Sequence, residues 1–460
     1  MGAQVEGGGE VIVYPAPAGE EASEDFVIEA GGKKVFPYVA KVFDTVHGKE
    51  VADPTGYIGH LPWVAKVTFA SFDFRGRINV TVRSRRKVAS ATVRPLSYGI
   101  VPEVRGNTIS FTLDRPRLLT IEINDSPRQC LHLFANAVEK DVPDPKDPAV
   151  RYFGPGVHKV KRIIPRSGET VYIAGGAVVM SDGTPGPLID VRNAQNVTIR
   201  GRGILDGSPL PHCKGQMIAV AGSWGVQVRD VICRDSSCWT VVLDHSRNVQ
   251  VQNIKEISYR INSDGINTVN SQDVRIEGCF VRNKDDSIVV KTLARNAPAE
   301  NIAVRGCVIW NDWGYSLGAT YEMRSDIRNV LFSNCDVIHS TRANNVMPVL
   351  GVFNGDSATV DGVRFENIRI ERAANPLLGI TIARHPWSKD ATLGNIRNVT
   401  LSNITAPPHL PPSRIFGSGP SSTVKNVTLE NVRIGGRPLC GTDGKKAIKI
   451  GNFAENVTLR

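Results

Sequence analysis

Three acids stand out for their spacing: Asp264 in N-S-D-G-I-N (262–267), then Asp285 and Asp286 in D-D-S-I-V-V-K (285–291). Like charges held close together disfavour full ionisation, so at least one carboxyl of such a group keeps its proton toward neutral pH. Hydrolysis of a glycosidic bond uses this arrangement, with one carboxyl donating a proton to the leaving oxygen and another activating water. Clustered carboxylates also bind hard cations such as calcium, and aspartates also build turn ladders. From spacing alone the three readings stand side by side.

The elements that position these acids announce themselves by repetition. Asn196-Val-Thr-Ile, Gly225-Val-Gln-Val, Asn248-Val-Gln-Val, Asp273-Val-Arg-Ile, Asn301-Ile-Ala-Val and Asn329-Val-Leu-Phe recur, followed by Gly362-Val-Arg-Phe, Asn398-Val-Thr-Leu, Asn426-Val-Thr-Leu and Asn456-Val-Thr-Leu. The steps are 29, 23, 25, 28, 28, 33, 36, 28 and 30 residues. Six residues after each opening from Gly225 to Asn426 comes Val231, Ile254, Cys279, Cys307, Cys335, Ile368, Ile404 or Val432. One residue earlier comes Asp230, Asn253, Gly278, Gly306, Asn334, Asn367, Asn403 or Asn431, the types that accept a left-handed backbone. A short strand, a one-residue corner and a second strand pointing inward account for the pattern. No amphipathic helix or regular leucine repeat competes with it. The prediction is a right-handed parallel β-helix of about ten coils over 141–460, carrying the catalytic residues. Asp264 falls 16 residues after its coil opening and Asp285 and Asp286 fall 12 and 13 after theirs, which places them on consecutive coils about 4.8 Å apart.

Ahead of the solenoid, alternating Ile78, Val80 and Val82, then Ile109, Phe111 and Leu113, then Leu119, Ile121 and Ile123 read as strands separated by turn signals. This predicts an N-terminal β-sandwich with a proline-rich linker over 1–140, in an all-β chain. The 460 residues leave room for both units. Eight cysteines include no C-x-x-C pair. Cys279, Cys307 and Cys335 read as equivalent buried rungs, and Cys233 and Cys238 as thiols that could approach each other. The net charge of +10 suits an anionic partner or a solvated basic surface, and nothing in the chain marks a nucleic-acid binder. No long apolar run predicts a membrane span; no signal peptide is visible, and a removed one would leave the same start; a secreted or periplasmic protein is expected. No cofactor or metal is called for, and the residues leave the oligomeric state open.

The stretch D-S-S-C-W-T-V-V-L-D-H-S-R-N-V (235–249), with N-S-D-G-I-N and D-D-S-I-V-V-K, resembles the polygalacturonases of glycoside hydrolase family 28. A sandwich ahead of the solenoid resembles the dextranase and isopullulanase family 49, which shares the three-aspartate arrangement. The resemblance implies an inverting hydrolase with Asp285 as general acid and Asp264 with Asp286 activating water, and Lys291 in contact with substrate. Two departures loosen the tie to pectin. The family 28 G-H-G is replaced by Gly314-Tyr315-Ser316, and its R-I-K has no counterpart beyond Arg342. A neutral α-linked glucan of dextran or pullulan type is the preferred polysaccharide or oligosaccharide substrate. A pectin-type galacturonase, a calcium-dependent lyase and a non-catalytic glycan-binding solenoid are the alternatives. Trp239, Trp313, Tyr315, Tyr321 and Glu322 are the remaining candidate substrate contacts, and His385 a residue of the cleft wall.

Overall fold

The corner residues named above all take the left-handed conformation. Asp230, Asn253, Gly278, Gly306, Asn334, Asn367, Asn403 and Asn431 have φ between 49° and 73°. The ten opening residues from Asn196 to Asn456 do so as well, giving each coil a second fixed bend where the sequence reading marked only one. The computed structural model describes residues 9–44, 64–341, 347–440 and 446–460.

Between these bends the chain winds into a right-handed parallel β-helix. A ten-stranded parallel sheet runs from Ile189–Arg192 through Val241–Asp244, Ile266–Val269, Ile288–Thr292 and Leu317–Met323 to Ile448–Ile450. The other two strands of each coil join a 22-stranded sheet on the remaining faces. Inward side chains stack coil upon coil: Val231, Ile254, Cys279, Cys307, Cys335, Ile368, Ile404 and Val432 belong to one continuous core and are at most 2% exposed. Each coil buries its apolar face only against its neighbours, so the core is a column.

Two sheets make the N-terminal sandwich. Glu10–Val13, Val64–Arg75, Ser126–Ala137, Arg117–Ile123 and Ala91–Arg94 pair in that order, with Tyr38–Phe43 added to Val64–Arg75. Lys33–Val35, Phe26–Ala30, Ile78–Ser84, Thr108–Leu113 and Glu103–Arg105 form the facing sheet. In Ser126–Ala137 the alternation of side chains serves two cores. Leu131, Leu133 and Ala135 enter the sandwich, while Cys130 and Phe134 meet Ile232, Ile257, Phe280, Val308 and Trp310 of the solenoid. No described helix is long and apolar enough to cross a membrane.

All eight cysteines are free. Cys233 lies in the solenoid core, so Cys238 meets Cys213 instead, thiol to thiol. The Cys213 N–H donates to the Ser237 carbonyl at 2.8 Å, and this brings the two segments together.

Candidate active site

Each coil turns between its second and third strands, and the acids occupy that turn on successive coils. Asp264 lies between Lys255–Ile257 and Ile266–Val269, and Asp285 and Asp286 between Phe280–Asn283 and Ile288–Thr292. The Gly265 N–H donates to the Asp286 carbonyl at 2.9 Å, which locks one turn upon the next. Asn283 braces the stack by donating to the carbonyls of Ser263, Asp285 and Asp286. Asn311 repeats this one coil on, reaching the Asp285 carbonyl at 2.6 Å. Gly314 sits above, and a Cβ there would come within 2.4 Å of Asp285 C and Asp286 N. The third turn therefore closes on the acids only with glycine at this position.

An oxygen from each of the three carboxyls lies within 4.8 Å of the other two. The Lys291 ammonium completes the cluster, 3.0 Å from Asp286 Oδ2 and 3.6 Å from Asp264 Oδ2. Asp286 also accepts from the Tyr315 N–H at 3.1 Å and the Thr320 hydroxyl at 3.3 Å. Burial and then the neighbouring Asp285 push the Asp264 carboxyl well above its usual range, although Lys291 pulls the other way. Asp264 Oδ2 accepts from Asn267 at 3.2 Å, and Oδ1 has no hydrogen-bond partner within the protein. Burial, followed by Asp286, pushes Asp285 up to about 6, against the backbone N–H groups of Asp286 and Asn262 that favour its ionised form. Asp264 is only 2% exposed whereas Asp285 is half-buried. Asp285 is thus the carboxyl that keeps a proton near neutrality and still faces outward. For Lys291, Asp286 and Asp264 overcome the effect of burial and hold the ammonium charged above its ordinary range. The ammonium sits against the oxygens a divalent cation would need, so the cluster already carries its own counter-charge.

The aromatic candidates separate by position. Trp239 is half-buried with its ring 5.3 Å from Lys291 Nζ. Tyr321 lies 5.7 Å from the same ammonium and stacks on His385 at 4.1 Å between ring centres. Tyr315 is 3% exposed and packs edge-on to Tyr321. Trp313 points toward the sandwich, edge-on to Phe43 at 6.0 Å. Glu322 is half-buried and close enough for its charge to act on Lys291. Arg342 lies outside the described residues. No motif marked Glu256. It is buried beneath Gly265, accepts from the Thr240 hydroxyl at 2.5 Å, and is held protonated by burial well above the usual carboxyl range. Its only trace in the sequence is an acid where a strand residue should be apolar.

The family model for glycosyl hydrolases family 28 matches residues 165–457. The chain belongs to that family. A probable polygalacturonase from Vitis vinifera is 25% identical over 169 residues, 34% of each chain. A probable rhamnogalacturonase B from Aspergillus fumigatus is 32% identical over 183 residues, 39% of this chain and 31% of that one. These matches span about a third of the relatives' length. Among solved structures, Dex49A from Penicillium minioluteum superposes with a TM-score of 0.68 at 13% identity, covering 98% of this chain and 96% of that one. A polygalacturonase from Erwinia carotovora gives 0.51 at 16% identity, covering 64% and 87%. The family 28 match begins with the solenoid, and the likeness to Dex49A extends over the sandwich too.

Proposed function

We propose that this glycoside hydrolase cleaves an α-linked polysaccharide or oligosaccharide with inversion, using a 141–460 solenoid docked on a 1–140 sandwich. The observation that carries the reading is the half-buried Asp285, with a pKa of about 6, beside an Asp264–Asp286 pair gathered on one ammonium. Asp285 donates its proton to the leaving oxygen. Asp286, hydrogen-bonded by Lys291, Thr320 and the Tyr315 N–H, takes a proton from the attacking water, and Asp264, whose Oδ1 has no partner within the protein, helps to activate that water by orienting it. A binding-only solenoid has no use for a raised carboxyl at this position, and a calcium-dependent lyase is disfavoured by the ammonium that already neutralises the cluster.

The spacing of the acids favours a second stereochemical reading. Inverting pairs lie about 6.5–9.5 Å apart and retaining pairs about 5–5.5 Å, whereas an oxygen of each acid here lies within 4.8 Å of the others. Inversion is preferred because Lys291, Thr320 and Asn267 occupy the Oδ2 atoms of Asp286 and Asp264 that a nucleophile would present. Proton NMR of the first anomer released decides between them.

A neutral glucan of dextran or pullulan type fits the unit at the cleaved bond. Around it stand Asp264, Asp285, Asp286 and Glu322, while Lys291 is committed to the acids. The pectic names of the relatives support a galacturonan instead. Reducing-end release from dextran, pullulan and polygalacturonate tests both, and activity on polygalacturonate alone would remove the glucan reading. Polymers of this kind are met outside the cytoplasm, so a secreted or periplasmic location follows from the proposed substrate.

A further inference from the structure

The groove does not end at the acids. The outward-facing positions of the ten-stranded sheet stack in one register, Asn267, Val289, Gly318, Gly351, Gly379, Arg414 and Lys449 on seven consecutive strands. Beyond Val289 three coils present glycine. Their side-chain space is occupied from elsewhere: the Tyr315 ring would lie 2.2 Å from a Cβ on Gly351, and the Pro348 ring 2.8 Å from one on Gly379. A trough results, floored by ring faces.

This trough opens into a pocket of about 410 Å³ walled by Tyr321, Phe353, His385 and Phe416, with Arg414 at its far side. That volume lies within the ordinary range for small-ligand sites, about 300–1,000 Å³. Arg414 and Lys449 are exposed, and neither forms an ion pair among the described residues. Other cations are engaged elsewhere: Arg295 and Arg324 share Asp390, Arg384 donates to the carbonyls of Asp390 and Ala391, and Lys291 serves the acids. The row therefore passes from acidic at the catalytic coils, through glycines covered by ring faces, to basic at its far end.

We propose that this pocket is a distal subsite for a sugar unit bearing an anionic group, a carboxylate or a sulfate ester, in a chain whose cleaved bond lies over the acids. The inference rests on the hydrolase reading of those acids. A guanidinium matches either oxyanion bidentately, and aromatic faces take the apolar side of a sugar ring. From Val289 to Arg414 is four coil steps, roughly 19 Å, so the charged unit lies several residues from the bond. The substrate is then a mixed polymer, neutral where it is cut and acidic at a distance.

The test uses Asp285→Asn protein to hold probes without turnover, and titrates isomalto-oligosaccharide, its sulfated derivative and oligogalacturonate at low and high salt. Tighter binding of an acidic probe is expected, and adding Arg414→Gln should lower the acidic-to-neutral affinity ratio about tenfold, the worth of one charge-assisted hydrogen bond. The sulfated and carboxylated arms separate the two chemistries. An unchanged ratio in protein of unaltered melting temperature, or no preference for either acidic probe beforehand, overturns the subsite. Failure of the wild-type protein to release reducing ends from every probe would instead remove the hydrolase reading, while the affinity ratio still reports on Arg414.

Discussion

At Asp285 the proposed chemistry and the cost of folding meet in one side chain. A general acid is needed only when the leaving group requires a proton. Asp285→Asn should therefore lose at least a hundredfold of kcat on polysaccharide, yet recover much of it on an aryl glycoside with an acidic phenol; equal losses on both would reassign the acid. Asp286→Asn and Asp264→Asn should lose activity on both substrates alike. The raised pKa also has a sign in stability. Its ordinary value of 3.8 becomes about 6 in the fold, so the native state binds the proton more tightly than the unfolded chain does. The contribution is complete below pH 3.8 and is lost as pH rises through 6. Asp285→Asn should therefore melt higher than wild type at pH 7.5, by on the order of 2 kcal/mol, with the difference vanishing near pH 4. A melting temperature that falls at both pH values would mean that Asp285 is structural. The spacing of the acids was legible in the sequence, because consecutive coils must stack. The place of Lys291 was not, since its position in the motif does not say whether the side chain turns to the acids or to the cleft.

A coil is held by its two left-handed bends and by the side chains that stack on them. Asn426 has φ of 57°, receives the amide of Asn456 at 3.1 Å and donates to Asn398 at 3.0 Å. The N-V-T triplets at 398, 426 and 456 thus form a ladder along the outside of the solenoid. Asn426→Gly keeps the backbone free and loses only the ladder, whereas Asn426→Ala loses the ladder and adds about 1–2 kcal/mol of left-handed strain. In urea unfolding the alanine variant should be the less stable of the two, and the reverse order would show that the backbone there relaxes. The corner at Asn431 and its equivalents could be read from sequence because a left-handed residue leaves a mark in residue type, Asn, Asp or Gly; the bend at Asn426 carries the same mark but stood in the repeat as its opening residue. The outward row leading to Arg414 could not. It crosses steps of 33 and 36 residues, and the register through such insertions is set by packing. Cys213 escaped for the same reason, lying in the connection between Ile204–Asp206 and Ile218–Ala221.

The whole molecule depends on a contact that local pattern does not reveal. The alternation of Leu119, Ile121 and Ile123 pointed to a sandwich strand, but its other face carries Glu122, which is 1% exposed and 217 positions from its partner His339. Arg94 reaches Glu122 at 2.8 Å and Glu371 at 2.5 Å, so that with His339 the network ties the sandwich to two coils. Beside this network Arg282 lies over the Trp310 ring at 3.8 Å and donates to His132 at 3.0 Å. Burial works against ionised Glu122, yet His339 and Arg94 bring its pKa down to about 2 from 4.5. The sign is opposite to that of Asp285. Glu122 contributes stability that is complete above pH 4.5 and is lost as pH falls toward 2. Removing its charge leaves the buried Arg94 with Glu371 as its remaining carboxylate, a loss of about 1.5–3 kcal/mol for a charge-assisted hydrogen bond. Glu122→Gln should therefore unfold earlier in urea at pH 7, and the gap should narrow as both proteins are acidified from pH 4.5. Phe280, Val308 and Trp310 are covered by the sandwich, so undocking would bare a continuous apolar strip and should be read as dye binding coincident with loss of the solenoid. A sandwich that melts separately in Glu122→Gln, with the solenoid and its activity intact, would show that the two units fold independently and that the acids need no support from the sandwich.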